Sequence, residues 1–118
     1  MYIRKGGIMN GEWTSQIKRG TLEYIVLLLI AKEDRYGYEL IQLLEKYPML
    51  STKESTIYPL LRRLLKNGYL KSYWKEIAEG IPSRKYYRLT NQGYDYFKQL
   101  DNDWQNLMNS IIKIKKEI

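Results

Sequence analysis

Residues 54–68 run Glu54-Ser55-Thr56-Ile57-Tyr58-Pro59-Leu60-Leu61-Arg62-Arg63-Leu64-Leu65-Lys66-Asn67-Gly68. Ile57, Leu60, Leu61, Leu64 and Leu65 fall at i, i+3, i+4, i+7 and i+8, which puts them on one stripe of an α-helix. The opposite side carries Ser55, Thr56, Tyr58, Arg62, Arg63 and Lys66. The pair Asn67-Gly68 predicts the stop, because glycine accepts the left-handed backbone that closes a helix. Upstream, Ser51-Thr52-Lys53-Glu54 has the spacing of a capping box. Pro59 lacks an amide donor and so belongs in the first turn or two, or at a bend.

Working outward, Ser15 to about Lys32 has a helical pattern in which the dense block Leu22 to Ala31 calls for burial on most sides. Glu33-Asp34-Arg35 breaks the pattern, Gly37 opens a second helix with Leu40, Ile41, Leu43 and Leu44 on one face, and Pro48 ends it. After Gly68 the period changes. Tyr69 to Ile77 and Arg84 to Leu89 are rich in aromatic and β-formers, and the turn-rich Glu79-Gly80-Ile81-Pro82-Ser83 between them predicts a hairpin tip. Thr90 is placed to cap a last helix running to the C-terminus. In that helix Phe97, Leu100, Trp104, Leu107, Ile111, Ile114 and Ile118 alternate three and four residues apart, a coiled-coil-type seam that Met108 and Ile112 widen.

The expected fold is therefore mainly α with a small β-hairpin: a winged helix-turn-helix over residues 15–90 and a long C-terminal dimerisation helix over 91–118. Residues 1–14 read as a flexible arm. Within the arm, Lys5-Gly6-Gly7 lies just before Ile8-Met9, and lysine and glycine codons can spell a purine-rich ribosome-binding sequence. Met9 is thus a candidate native start, with residues 1–8 as read-through; a short basic arm is the alternative.

Composition narrows the chemistry. The chain of 118 residues has no cysteine and no histidine, which excludes disulfides, thiolate zinc sites, cysteine nucleophiles, Ser-His-Asp triads and histidine metal sites. No pair of carboxylates or lysines stands at a spacing that suggests shared catalysis, so no enzyme, cofactor or metal is expected. The longest apolar run, Tyr24 to Ala31, falls far short of the ~20 residues of a membrane span, and the expected location is the cytoplasm.

The net charge of +7 is concentrated in the middle of the chain. Residues 53–88 carry nine basic and three acidic side chains, a net of +6, whereas residues 1–52 carry seven and six and residues 89–118 four and four. That is the footprint of a phosphate-binding face. In a winged helix-turn-helix the third helix enters the major groove and the wing reaches the neighbouring backbone. Ser55, Thr56, Tyr58, Arg62, Arg63 and Lys66 of that helix, with Arg84 and Lys85 of the wing, are the candidate contacts to double-stranded DNA. Phe97, Leu100, Trp104, Leu107, Ile111 and Ile114 are the candidate homodimer interface, which predicts an inverted-repeat operator. A protein-interaction adaptor on the same fold is the alternative reading, and the basic middle third argues against it.

Tyr36-Gly37-Tyr38-Glu39-Leu40, Glu54-Ser55-Thr56-Ile57-Tyr58-Pro59, Leu61-Arg62-Arg63-Leu64, Gly68-Tyr69-Leu70 and Pro82-Ser83-Arg84-Lys85-Tyr86-Tyr87-Arg88-Leu89-Thr90 with Gly93 resemble the PadR-like transcriptional regulators. The resemblance covers about Ile17 to Ile118. It implies a bacterial repressor, homodimeric through its first and last helices, with a small-molecule effector in many members. A single helix after the wing is similar to the short branch of the family, which includes members with an aromatic-lined drug pocket and a tryptophan in the last helix. Trp104 stands at a comparable place. A paired indole in the seam would splay the helices and leave a slot walled by Trp104, Met108, Tyr24 and Leu28, suited to a flat aromatic or cationic compound. Plain packing is the other role open to Trp104, as it is to Tyr36 and Tyr38 at their element junctions.

Overall fold

In the computed structural model, which describes residues 6–118, the chain folds as α1 (Gly6–Lys32), β1 (Arg35–Tyr36), α2 (Gly37–Glu45), a 3-10 turn (Pro48–Leu50), α3 (Glu54–Lys66), β2 (Leu70–Lys75), β3 (Arg84–Leu89) and α4 (Asn91–Glu117). The order matches the sequence reading, with three differences.

Helix α1 begins at Gly6 rather than Ser15, so the expected arm is helical from Gly6 onward, and residues 1–5 lie outside the described residues. No proline interrupts that segment, and its glycines only weaken a helix that the buried C-terminal half has already nucleated. Second, Ser51-Thr52-Lys53-Glu54 makes no capping box. Lys53 is the N-cap of α3 and offers no side-chain cap. The Ser51 amide donates to the Tyr47 carbonyl at 3.0 Å, and its own carbonyl accepts from Lys18 Nζ at 2.6 Å, so this residue closes the preceding turn. Third, the hairpin gains a strand. Arg35 and Tyr36 pair antiparallel with Tyr87 and Tyr86, giving the order β1-β3-β2. Two residues carry no period of their own, which is why this strand is invisible in the sequence. It forms because Arg35 is pinned, its guanidinium donating to the Leu29 carbonyl, Glu33 and Glu39.

The core sits where three helices meet the sheet. Val26 and Leu27 of α1, Leu40 and Leu44 of α2, and Ile57, Leu61 and Leu64 of α3 are fully buried, and Leu70 and Tyr87 close the core from β2 and β3. These are the predicted stripes of α2 and α3. Gly68, at φ +80°, ends α3 as expected, its amide and that of Tyr69 bonding back to the Leu65 and Leu64 carbonyls at 3.1 and 3.0 Å.

Thr90 caps α4, its hydroxyl oxygen accepting from the Gly93 amide at 2.9 Å and donating to the Gly68 carbonyl at 2.6 Å. The first half of α4 lies against the body. Tyr96 stacks on Tyr69 with centroids 4.2 Å apart and donates to Glu23 at 2.6 Å, and Phe97 and Leu100 pack on the core. The second half leaves it. Leu107, Ile111 and Ile114 are 48%, 38% and 54% exposed, so half of the seam faces away from the chain's own body. A radius of gyration of 17.1 Å, against about 13–14 Å for a compact domain of this length, reflects the protruding helices.

Candidate nucleic-acid interface

The outer face of α3 presents exposed Ser55, Thr56, Pro59, Arg62, Arg63 and Lys66. Pro59 lies in the second turn, where its missing amide leaves the Ser55 carbonyl without its helical partner on an exposed surface that water can satisfy.

Beside this face is an open cleft of about 470 Å³, with Tyr58 and Arg62 of α3 on one wall and Trp74, Arg84, Lys85 and Tyr87 of the sheet on the other. Tyr36, Gly37 and Tyr38 form its end. Gly37 has a specific reason to be glycine. A Cβ there would lie 2.5 Å from Tyr58 Cε1, so the Tyr58 ring rests directly on the α2 backbone. Burial pushes the Tyr58 and Tyr87 hydroxyls above their ordinary pKa, and Tyr58 is further raised by the charge of Glu54. Both remain neutral hydrogen-bonding groups at physiological pH. The cations are held over rings: Arg84 lies 4.5 Å from the Tyr36 centroid and Lys85 5.8 Å from that of Tyr87. The cleft thus joins fixed positive charge to aromatic and hydroxyl surface, a combination suited to phosphate and base edges.

Of the residues expected to meet DNA, Tyr58, Arg62, Arg84 and Lys85 come together here. Thr56 lines a neighbouring groove with Lys18, Lys53 and Glu54. Ser55 and Lys66 stand on open surface outside the cleft. Arg63 is turned the other way, its guanidinium donating to Glu23 of α1 at 3.0 Å, so it does not share the cleft with Arg62. Tyr36, Tyr38 and Trp74 belong to the cleft although none was a candidate. Trp74 alone left a signal, as a tryptophan in a strand position with no core to enter; it is 69% exposed.

The far face of the sheet has a different character. Register places Lys71 opposite Arg88, Tyr73 opposite Tyr86 and Lys75 opposite Arg84 on that face. Like charges directly opposed across strands destabilise a sheet. One carboxylate offsets them: Asp34 accepts from Tyr73 at 2.5 Å and pairs with Arg88 at 2.9 Å. Burial alone would raise the Asp34 pKa, but the hydrogen bonds from Tyr73 and Arg88 hold it below the ordinary value.

At the other end of the molecule, Tyr24 stacks on both Phe97 and Trp104, with centroids 6.0 and 5.9 Å away, and donates to Asp101 at 2.5 Å. Burial first, then that hydrogen bond and the Asp101 charge, push the Tyr24 pKa up to about 12. Two of the four expected slot residues, Tyr24 and Trp104, are therefore in mutual contact; Leu28 is half-buried on α1 and Met108 is 48% exposed. Among the described residues, no cluster of His, Cys, Asp and Glu could hold a metal, and no helix is long and apolar enough to cross a membrane.

Residues 26–99 match the transcriptional regulator PadR-like family, a span that includes α2, α3, the sheet and the docked start of α4. A PadR family transcriptional regulator from Eggerthella lenta is 32% identical, with a TM-score of 0.77 over 90% of this chain and 91% of its own. A PadR-like transcriptional regulator from Bacillus cereus is 31% identical, with a TM-score of 0.76 over 84% and 95%. An uncharacterized protein of Lysinibacillus sphaericus is 39% identical over 92 residues, 76% of this chain and 84% of that one. With the winged architecture, the basic cleft and this match in agreement, the chain belongs to the PadR-like family of DNA-binding transcriptional regulators, which are not enzymes.

Proposed function

We propose that the protein is a cytoplasmic, homodimeric repressor that binds an inverted-repeat operator and is released by a small aromatic or cationic effector at the dimer interface. The observation that carries this reading is the exposed apolar stripe Leu107, Ile111 and Ile114, which continues the half-buried positions Phe97 and Leu100 along one helix. A 3-4 repeat of this length finds a matching surface in a second copy of itself. Two-fold pairing through α4 would present two α3 helices to one face of DNA, with half-sites about 34 Å or a multiple apart. A pair clamped on a promoter blocks access to it, which makes repression the simplest outcome.

The effector belongs where the seam begins. There Tyr24 and Trp104 already stack, and the apolar positions of α4 beyond them, Leu107, Met108 and Ile111, are exposed. A planar ligand stacking between α4 and its symmetry mate would favour one helix separation over another, and only such a difference in affinity can shift DNA binding. The test combines light scattering, footprinting on the protein's own promoter, and titration of planar cationic dyes and phenolic acids against Trp104→Ala. A symmetric footprint, a dimer at micromolar concentration and an effector response lost in the variant are expected. A monomer that protects one half-site would end the reading, and a dimeric Trp104→Ala that responds with unchanged affinity would remove the effector slot from it.

A further inference from the structure

We propose that the face of the sheet turned away from α3 is a second DNA surface, in which Lys71 and Lys75 hold the phosphate backbone of duplex that continues past the wing. The inference rests on the chain's binding DNA through α3, and it concerns Lys71 and Lys75, neither of which lines the cleft.

Four cations stand on this face as two directly opposed pairs, Lys71 with Arg88 and Lys75 with Arg84. Such an arrangement works against the free sheet. Asp34 pairs with Arg88 and also attracts the charge of Lys71, whereas Lys75 and Arg84 have no ion-pair partner among the described residues. The charge is also ordered. Lys75 lies 5.3 Å from the Tyr86 centroid and Arg88 5.2 Å from that of Tyr73. Those rings touch each other across the strands, with centroids 5.8 Å apart. Cations held against stacked rings have less freedom to lose on binding an anion than cations on open surface. Because the ring faces carry cations, they are not open platforms for bases, and the surface is suited to phosphate rather than to unstacked nucleotides.

Continuity favours DNA over an acidic protein. Arg84 and Tyr36 line the cleft beside α3 and are also stacked at the edge of this face, so positive surface runs unbroken around the end of the sheet. Lys71 and Lys75 are four residues apart on one strand, about 13 Å, which matches about four base steps of axial rise. The outer face looks away from the groove that α3 would occupy. The duplex it can meet therefore lies outside the half-site, and contact there would extend the footprint without adding sequence preference.

The experiment uses a duplex that the wild-type protein selects from a random-sequence pool, trimmed to the bases that selection fixes or extended by ten arbitrary base pairs at each end. Wild type is expected to bind the extended duplex on the order of tenfold more tightly, with a salt slope steeper by about one per added phosphate contact. The double variant Lys71→Gln/Lys75→Gln, both exposed and outside the core, is expected to lose that gain and keep wild-type affinity for the trimmed duplex. Equal wild-type affinity for the two duplexes overturns the proposal. So does a variant that keeps the full gain, which would return this face to an acidic protein partner, and so does one that loses the trimmed duplex equally. Failure of wild type to select any sequence would instead count against recognition by α3.

Discussion

Gly93 is a residue for which the fold leaves no alternative. A Cβ on it would overlap the Tyr69 carbonyl oxygen, because the first turn of α4 packs directly on the backbone that leads into β2. That neighbour is main chain and cannot rotate aside. Gly93→Ala should therefore destabilise the protein by about 1–3 kcal/mol or more, read as a lower urea midpoint with unchanged slope. The tyrosines make a second prediction at this scale. Tyr24 and Tyr96 are both pushed up to about 12, Tyr24 chiefly by burial and Tyr96 chiefly by its hydrogen bond to Glu23. A group held protonated by the fold contributes stability that is complete below its ordinary value of 10.0 and is lost as pH rises through 12. Thermal midpoints should accordingly fall between pH 10 and 12, and Tyr24→Phe with Tyr96→Phe should flatten that fall. Asp34 has the opposite sign. Its contribution is present above the ordinary carboxylate value of 3.8 and disappears as pH drops through its lowered one, so Asp34→Asn should blunt the acid limb.

Among the elements, α3 separates its two adjacent arginines by the angle between consecutive residues of a helix. Arg62 faces the wing and Arg63 faces α1. Arg62→Ala should weaken binding to a selected duplex by about 1–3 kcal/mol and relax one base preference, whereas Arg63→Ala should change affinity much less. Competition binding with single-base variants of the duplex measures both. The sequence could show that these residues share the polar side of the helix, because the apolar stripe Ile57 to Leu65 defines the other side. It could not show that Glu23, forty residues earlier, approaches one of them, since that depends on how α1 crosses α3. The same limit applies elsewhere. The α2 and α3 stripes, the Gly68 stop, the hairpin and the Thr90 cap are local patterns, and all were legible. Strand β1, the engagement of Ser51 in the preceding turn, and the inclusion of Tyr36, Tyr38 and Trp74 in the cleft are set by neighbours distant in sequence.

For the whole molecule, the two ends have separable tasks. The core closes with Phe97 and Leu100, and the exposed half of α4 contributes nothing to it. Leu107→Glu or Ile111→Glu should therefore give folded monomers rather than unfolded chains, with normal helicity, a single-chain mass by light scattering, and loss of binding to a two-half-site duplex.

The opposed cations of the sheet also make salt act on the protein in two opposite directions. Screening relieves the repulsion between Lys71 and Arg88 and between Lys75 and Arg84, as it relieves the wider self-repulsion of a +7 chain. The same ions compete with the protein for DNA phosphate. Raising salt from 50 to 500 mM should slow amide exchange in β2 and β3 of the free protein while it loosens the complex, and faster exchange in these strands at high salt would contradict this account. The free wing is then a fully paired hairpin under internal electrostatic repulsion, and DNA bound at its outer face would be the counterion that relieves it, so binding should slow exchange in β2 and β3 further.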